Sequence, residues 1–411
     1  MDHHSTEIDR RAAEVEPRVI TWRRDIHENP ELGNREFRTA KLVAEHLEFL
    51  GIEVQTGVAH TGVVGVLKGG KPGRVVALRA DMDALPVTEM VDLPFASKVR
   101  TTYNDQEVGV MHACGHDAHV AVLMGVAEVL AGMREQIPGT VKFIFQPAEE
   151  GPPAGEEGGA ELMVKEGALD NPKVDAIFGL HVTSRYEAGQ AALKPGSLLA
   201  AVDTLSIKVK GRQTHGAYPW LGVDPIVVAS QIVLGLQTIP SRQLDVSAAP
   251  TIVTIGSIHG GVRSNIIPDE VTMEGTLRSL DEEMQKDMHA RVKRTAEAIA
   301  ESAGATAEVT ITTGYPVTYN DPDLTAAMLP TLERVATAER LLTVPPVLGA
   351  EDFSFFQQQV PGVFFWIGTR PKGVSAADAP SNHSPLFYIE ESGLILGVRA
   401  LSNLALDYLA E

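Results

Sequence analysis

The sequence has very little cysteine: Cys114 is the only one in 411 residues, so no disulfide can form within the chain. A single cysteine fits a reducing compartment. Long apolar runs are also missing, since none approaches the roughly 20 residues that span a bilayer, and the N-terminus is polar and acidic. We therefore expect a cytoplasmic protein, or a periplasmic or secreted one if a signal peptide was removed.

Positive charge is scarce as well. Lys and Arg number 35 against 54 Asp and Glu, which gives a formal net charge of −19. Such a surface repels nucleic acids and anionic membranes and favours solubility. We expect neither nucleic acid nor membrane as a partner.

The chain is long enough for more than one hydrophobic core, so two domains are expected. Apolar strands such as 63–67, 74–79 and 140–145 alternate with helical segments, including a long helical region over 7–50. This alternation predicts an α/β sheet covered on both faces. Strands near 204–209 and 271–278 instead alternate polar and apolar residues, which predicts a one-sided sheet. We expect one α/β domain formed by 1–200 and 315–411, interrupted by a smaller α+β domain over 201–314.

Metal-binding residue types crowd together between Met111 and His119, where the sequence reads Met-His-Ala-Cys-Gly-His-Asp-Ala-His. A lone cysteine is usually a small buried hydrophobe, and histidines at a helix start are often surface residues. A thiol, imidazoles and a carboxylate within nine residues are, however, the ligand set of borderline divalent metals. Both interpretations remain open from this segment alone.

Carboxylates follow two of the apolar strands. Asp81 and Asp83 come at the end of the strand at 74–79, and Glu149 and Glu150 follow the strand at 140–145. Ligand sites collect at the carboxyl ends of strands in open α/β sheets. A solvated Glu pair in a Gly-rich loop is the alternative, whereas a metal ligand beside a general base would use both carboxylates.

Two further histidines complete a possible ligand set. His181 ends an apolar strand and His383 lies in the loop Ser-Asn-His-Ser-Pro. Each alone is more often a core or surface residue. Together with Cys114, His116 and Glu150, they deliver metal-capable side chains from several strand ends, which favours a metal centre.

The ordered motifs resemble a known family. Arg-Ala-Asp-Met-Asp-Ala-Leu-Pro, His-Ala-Cys-Gly-His-Asp-Ala-His, Phe-Gln-Pro-Ala-Glu-Glu, Gly-Leu-His-Val, Ser-Asn-Ile-Ile-Pro and Asn-His-Ser-Pro occur in that order from about residue 20 to the C-terminus. They resemble the hippurate hydrolase, indole-acetyl-amino-acid hydrolase and N-acyl-amino-acid amidohydrolase branch of the aminoacylase and carboxypeptidase metallopeptidases. The resemblance implies a dinuclear-metal exopeptidase-like catalytic domain with an inserted lid and dimerisation domain.

The resemblance also implies roles for particular residues. Cys114 would bridge two divalent ions, Glu150 and His383 would complete one site, and His116 and His181 would complete the other. Glu149 would be the general base, and Asp83 a supporting carboxylate. Zinc or manganese would be the metal, with nickel or cobalt as possible substitutes.

In the inserted domain, the same resemblance gives His215 the task of stabilising the oxyanion, often in the partner subunit's site. Asn265 and Arg278 would hold the substrate's carboxylate, although an exposed strand charge is the alternative for Arg278. Trp220 stands where the family often has a histidine. A homodimer or higher homo-oligomer is the expected assembly.

The expected function is metal-dependent cleavage of the amide bond in a small N-acyl amino acid, by a water that the metal activates. A dipeptidase or carboxypeptidase of the same mechanism, acting on a small peptide, is the alternative within this class. A hydrolase with Cys114 as nucleophile and His116 or His112 as base is a rival. A second rival is a non-catalytic protein that binds metal or amino acids on this fold.

Overall fold

Residues 3–411, which the computed structural model describes, form two compact units. The larger unit holds the chain up to Gly196 together with Tyr319–Pro345 and Phe355–Glu411. The smaller unit holds Ser197–Thr318 and Pro346–Ser354. The sequence predicted one continuous insert over 201–314, so the segment at 346–354 is an addition to the smaller unit that the pattern did not indicate.

The helices alternate with strands in the larger unit and cover one face of a sheet in the smaller one. In chain order they are α1 (His3–Glu28), α2 (Phe37–Phe49), α3 (His116–Ala131), α4 (Gly159–Lys165), α5 (Pro225–Leu236), α6 (Glu282–Ser302), α7 (Pro322–Ala336), α8 (Ser354–Gln357) and α9 (Leu394–Ala410). In chain order the strands are β1 (Glu53–Val58), β2 (Gly62–Lys68), β3 (Lys71–Asp81), β4 (Arg100–Tyr103), β5 (Gln106–Gly109), β6 (Pro138–Gln146), β7 (Ala176–Glu187), β8 (Ala191–Leu193), β9 (Gly196–Leu199), β10 (Ala201–Lys210), β11 (Thr214–His215), β12 (Thr251–Gly260), β13 (Ile266–Ile267), β14 (Glu270–Ser279), β15 (Thr306–Thr313), β16 (Thr318–Asn320), β17 (Leu341–Thr343) and β18 (Gly362–Arg370).

The larger unit is built on a mixed sheet with strand order β1-β2-β6-β3-β7-β18-β8-β17. Its central strands β6, β3, β7 and β18 run parallel to one another. The central parts of these strands, such as 75–81 on β3 and 176–184 on β7, are continuously buried, because helices such as α3 and α9 pack on them. This confirms the predicted α/β fold class.

Because these strands are parallel, the ends that carry candidate site residues lie at the same edge of the sheet. Asp81 is level with Gln146 on β6, and Arg79 is level with Gly179 on β7. His181, two residues after Gly179, therefore lies at the same edge as Asp81. The prediction that His181 ends its strand was wrong, because β7 continues to Glu187 and pairs there with β18.

The predicted helical region over 7–50 is interrupted. Helix α1 ends at Glu28 and α2 begins at Phe37. The intervening segment contains Pro30, which lacks a backbone N–H, and Asn34, whose φ is +59°. The left-handed conformation of Asn34 does not fit an α-helix, whereas a proline alone does not decide, since α1 itself contains Pro17.

The smaller unit has an antiparallel sheet in the order β12-β14-β10-β15. Strand β10 alternates buried with more exposed residues, as a sheet covered on one face should. Helices α5 and α6 cover that face and share its apolar core. The predicted one-sided α+β arrangement is therefore present in this unit.

The segment Glu391–Ala410, which contains α9, passes a length-and-composition test for a membrane span, with mean hydropathy 1.2. The most apolar 18-residue stretch of this segment is 78% buried. Helix α9 packs against α1, α3 and α7 and against the sheet. A core helix of a folded unit has these properties, so this segment alone is weak support for a membrane span.

Helix α6 offers a stability test that leaves the candidate site untouched. Asp281 precedes the helix in extended backbone conformation, and its carboxylate accepts a hydrogen bond from Met284 N–H at 2.7 Å. We expect Asp281→Ala to lower the free energy of unfolding by about 1 kcal/mol, the usual loss for such a cap. Thermal unfolding followed by circular dichroism measures this. Asp281→Asn is the matched control, because its side-chain oxygen can still accept the bond, and equal melting temperatures for both variants would contradict the assignment.

Candidate metal centre

Four of the predicted ligands surround the thiol of Cys114 in the larger unit. The Cys114 Sγ lies 3.3 Å from His181 Nε2 and 3.3 Å from His383 Nε2. The His383 Nε2 is in turn 2.9 Å from Glu150 Oε1. Within each of the triads Cys114–His116–His181 and Cys114–Glu150–His383, the ligand atoms lie no more than 4.8 Å apart. The thiol belongs to both triads, so it stands between two potential ion positions.

The start of α3 positions Cys114 and His116. Gly115 precedes the helix with φ +93°, and a Cβ there would lie 2.4 Å from Val182 Cγ2. Only glycine meets both demands without strain. The helix then presents His116, whose Nδ1–H donates to the backbone oxygen of Asp83 at 2.8 Å. This bond turns His116 Nε2 towards the cluster.

Glu149 and Glu150 are presented by a turn after β6. Glu150 N–H donates to Asp83 Oδ2 at 2.9 Å, and Asp83 Oδ1 lies 3.2 Å from His116 Nδ1, so Asp83 contacts both the turn and His116. Glu149 is 5% exposed, and its Oε2 lies 3.8 Å from His116 Nε2. The two adjacent glutamates therefore point into one cluster with His116, and this differs from the solvated pair that was the alternative.

His181 and His383 are fixed through backbone contacts. His181 Nδ1–H donates to the oxygen of Val182 at 2.7 Å, which leaves Nε2 facing the thiol. His383 has φ +71°, and its N–H donates to Ala113 O at 2.8 Å. The neighbouring Asn382 donates from Nδ2 to the oxygens of Cys114 and Val182. Asn382 therefore ties the His383 loop to both β7 and the Cys114 segment.

A second group of buried polar residues is hydrogen-bonded together next to the cluster. His119 Nε2 accepts the N–H of Val182 at 2.9 Å, so the proton must be on Nδ1, which donates to Asp81 Oδ1 at 2.5 Å. Arg79 donates to the other oxygen of Asp81 at 2.7 Å. The triad Asp81–His116–His119 is thus already satisfied in part by Arg79, and we assign it a supporting role.

Helix α3 is also anchored through Asp117, which is fully buried. Arg23 Nε and His27 Nδ1 each donate to Asp117 Oδ2 at 2.8 Å. Despite its burial, these cationic neighbours hold the pKa of Asp117 well below its usual range. His27 also contacts Glu89 at 3.0 Å, and the two carboxylates raise the pKa of His27 against the effect of burial. This network fixes the turn of helix that carries His116.

The electrostatics of the cluster fit a cation. Burial and then Glu150, Glu149 and Asp81 raise the pKa of the Cys114 thiol well above its usual range. Against the effect of burial, Asp81 and Asp83 raise the pKa of His116 to about 10. Among the residues the structure describes, His116 Nε2 is buried with no hydrogen-bond partner. Carboxylates, a thiol and an imidazole nitrogen gathered in this way form a donor set suited to divalent ions of the zinc type.

The smaller unit carries the other predicted site residues. His215 and Asn265 are exposed and adjacent, because β11 pairs with β13 and Gly216 N–H donates to Asn265 O at 2.8 Å. His215 Nδ1 accepts the N–H of Ala217 at 3.0 Å, so its proton is on Nε2. Its ring packs near Tyr218, which in turn contacts the exposed Trp220.

Arg278 is half-buried on β14 and donates from Nη1 to the oxygen of Leu348 at 2.7 Å. This contact differs from the exposed strand charge that was its alternative interpretation. The guanidinium has further N–H donors, so the bond to Leu348 leaves donors for a ligand. The roles of Arg278, Asn265 and His215 towards a substrate remain predictions.

Sequence reasoning missed several supporting residues. Asp81 and His119 stand in the quoted motifs, but their pairing depends on the packing of α3 against β3. Glu36 lies outside every quoted motif, is fully buried, and accepts the N–H of Ala148 at 2.9 Å and the hydroxyl of Thr61. Burial and nearby Asp83 raise the pKa of Glu36 to about 8. No local signal in the sequence distinguishes this glutamate from a surface one.

Comparison with known proteins gives the family. The chain matches the model of peptidase family M20/M25/M40 over residues 77–407. It is 43% identical to thermostable carboxypeptidase 2 of Saccharolobus solfataricus over 397 residues, 96% of each chain. It is 40% identical to IAA-amino acid hydrolase ILR1-like 2 of Arabidopsis thaliana over 96% of this chain and 87% of that one.

A solved structure gives the same result. The YXEP protein of Bacillus subtilis, described as a dinuclear metal binding peptidase from the M20 family, superposes with a TM-score of 0.79. It is 36% identical and covers 97% of this chain and 99% of its own. The chain described here therefore belongs to peptidase family M20/M25/M40 and is a hydrolase of that family.

Proposed function

We propose that this member of peptidase family M20/M25/M40 is a two-metal amidohydrolase that releases the amino acid from small N-acyl amino acids, as in the hippurate hydrolase branch. The observation that carries the proposal is the position of Cys114 between two ligand groups, one with His116 and His181 and one with Glu150 and His383. The description of the Bacillus subtilis relative as a dinuclear metal binding peptidase supports two ions. Zinc or manganese suits this mixture of sulfur, nitrogen and oxygen donors.

Divalent ions bound by these five residues would polarise the scissile carbonyl and lower the pKa of a water. Glu149, at 5% exposure beside the cluster, then takes the proton of the attacking water. The same carboxyl group returns that proton to the leaving amine. The C–N bond breaks, and the second proton of the water passes from the new carboxylic acid to the amine, so the acyl group leaves as a carboxylate and the amino acid with its amine protonated.

The smaller unit would supply the remaining substrate contacts. Because its Nδ1 accepts the N–H of Ala217, His215 would donate a hydrogen bond from Nε2–H to the developing oxyanion. Asn265 beside it, and the remaining donors of Arg278, would bind the carboxylate of the amino acid. A homodimer in which His215 serves the partner subunit's site remains part of the proposal.

The two named relatives correspond to the two substrate alternatives. One is called an IAA-amino acid hydrolase and the other a carboxypeptidase. Both reactions use the same attack on an amide carbonyl, so the metal centre does not separate them. A nucleophilic role for Cys114 fits less well, because Glu149 and Glu150 next to the thiol oppose a thiolate, whereas reactive cysteines have cationic surroundings.

The substrate class is tested by release of free amino acid from a panel. The panel contains N-acetyl, N-benzoyl and indole-acetyl amino acids, together with dipeptides and N-blocked peptides. We expect the N-acyl amino acids to have the highest kcat/KM, because the proposed contacts recognise one carboxylate and one acyl carbonyl. A preference for dipeptides or longer peptides would favour the peptidase alternative. Absence of any cleavage by the metal-loaded protein would refute the proposed substrate class.

A further inference from the structure

The turn that carries Glu149 and Glu150 is held by two carboxyl groups from elsewhere in the chain. Glu150 N–H donates to Asp83 Oδ2, and Ala148 N–H donates to Glu36 Oε1, both at 2.9 Å. A third bond closes the turn itself, from Gly151 N–H to Ala148 O at 3.3 Å. Asp83 follows the neighbouring strand β3, whereas Glu36 comes from the loop before α2.

Ala148 needs such support because its backbone has φ +52°. This left-handed conformation is disfavoured for a residue with a Cβ, and it persists only when the surroundings fix it. Reversing the conformation would redirect the next side chain, which belongs to Glu149. The hydrogen bond from Ala148 N–H therefore affects the direction in which Glu149 and Glu150 point.

Glu36 is well placed to hold this bond. Its side chain is fully buried, and Thr61 donates its hydroxyl to Oε2 at 2.5 Å, so the carboxyl group is fixed at both oxygens. The loop before it packs closely on the turn, since a Cβ on Gly33 would lie 3.0 Å from Gly151 O and 3.1 Å from the Ala148 Cβ. Glu36 thus connects the 33–36 loop to the turn through the 2.9 Å hydrogen bond from Ala148 N–H.

We propose that Glu36 is a positioning residue: by accepting the Ala148 N–H, it sets the orientation of Glu149 and Glu150 in the metal centre. Its effect on turnover rests on the proposed base role of Glu149, whereas its effect on metal binding does not. Residues of this kind, which orient metal ligands, typically contribute ten- to a hundred-fold to affinity or activity.

Two substitutions separate the hydrogen bond to Ala148 from the presence of a carboxyl group. Glu36→Gln keeps the side-chain length and an oxygen that accepts the Ala148 N–H, but it removes the carboxyl group. Glu36→Asp keeps the carboxyl group but shortens the side chain by one methylene, so the oxygen withdraws from Ala148. We expect Glu36→Gln to keep kcat and zinc affinity near the wild-type values. We expect Glu36→Asp to lower both by about ten- to a hundred-fold with KM little changed.

Glu31→Asp is the matched control. Glu31 lies in the same connecting segment, and its carboxylate accepts the N–H groups of Arg38 and Thr39 and the hydroxyl of Thr39 at the start of α2. Shortening it should lower the melting temperature and leave kcat unchanged. Kinetics, zinc titration of the metal-free protein and thermal unfolding are measured on all three variants.

The outcomes are distinct. A wild-type kcat and zinc affinity in Glu36→Asp, or an equal loss in Glu36→Gln, overturns the positioning role. If Glu36→Asp does not fold, Glu36→Gln decides alone, and a tenfold or larger loss there overturns it. If the wild-type protein cleaves no amide, the proposed function fails, and the zinc affinities of the two variants still test Glu36.

Discussion

Replacing Glu149 by glutamine will lower kcat by about a hundred- to ten-thousand-fold, the usual contribution of a general base. Glutamine keeps the shape of the buried side chain, but its amide cannot take a proton from water. The ligands Cys114, His116, Glu150, His181 and His383 are unchanged, so we expect the variant to retain its metal. The measurement is kcat on the best N-acyl amino acid, with metal content determined by mass spectrometry.

Glu150→Gln is the matched control, because it makes the same chemical change at the adjacent position of the same turn. Glu150 belongs to the group with Cys114 and His383, and its Oε1 lies 2.9 Å from His383 Nε2. We expect this variant to lose metal affinity, and to recover part of its activity when metal is added in excess. Wild-type turnover in Glu149→Gln, or equal metal loss in both variants, would show that the base has been assigned to the wrong residue.

Removing the metal will abolish turnover, and adding zinc, manganese, cobalt or nickel to the metal-free protein will restore it. The reason is that divalent ions held by the cluster would polarise the scissile carbonyl and activate the attacking water. We also expect the melting temperature to fall on chelation, because an ion that binds only the folded state stabilises it. Activity and thermal unfolding are measured before chelation, after chelation and after each metal is added.

Alkylation of Cys114 provides the control for a thiol mechanism. The chain contains one cysteine, so a thiol-specific reagent can label only this residue. Bound metal should protect Cys114 from a thiol reagent, and chelation should expose it to reaction. If chelation leaves turnover intact while alkylation abolishes it, the metal mechanism is refuted and Cys114 becomes the nucleophile.

Much of the α/β fold could be read from local patterns. The strands that form the central sheet are short apolar runs between helices, and burial on both faces requires that composition. The break between α1 and α2 was missed because the helical periodicity continues on both sides of it. The left-handed Asn34 interrupts the helical conformation between α1 and α2 in spite of that periodicity.

The amino-acid sequence by itself determined the kind of chemistry available. Cysteine, histidine and glutamate have intrinsic affinities for divalent metals, and parallel strands bring their carboxyl ends to one edge of a sheet. The order of the motifs then indicated the metallopeptidase family, which the comparisons confirm as M20/M25/M40, while the hippurate hydrolase branch stays a prediction.

Only the tertiary structure decided which groups meet and how they are held. His383 reaches the thiol from 269 positions away, and Glu36 supports the glutamate turn from 112 positions away. His119 forms hydrogen bonds with Asp81 and Val182, and Asp117 forms them with Arg23 and His27. A hydrogen bond depends on distances of about 3 Å between atoms. Such distances follow from strand register and from the packing of α1, α3 and the connecting loops, which residue types and their spacing along the chain do not specify.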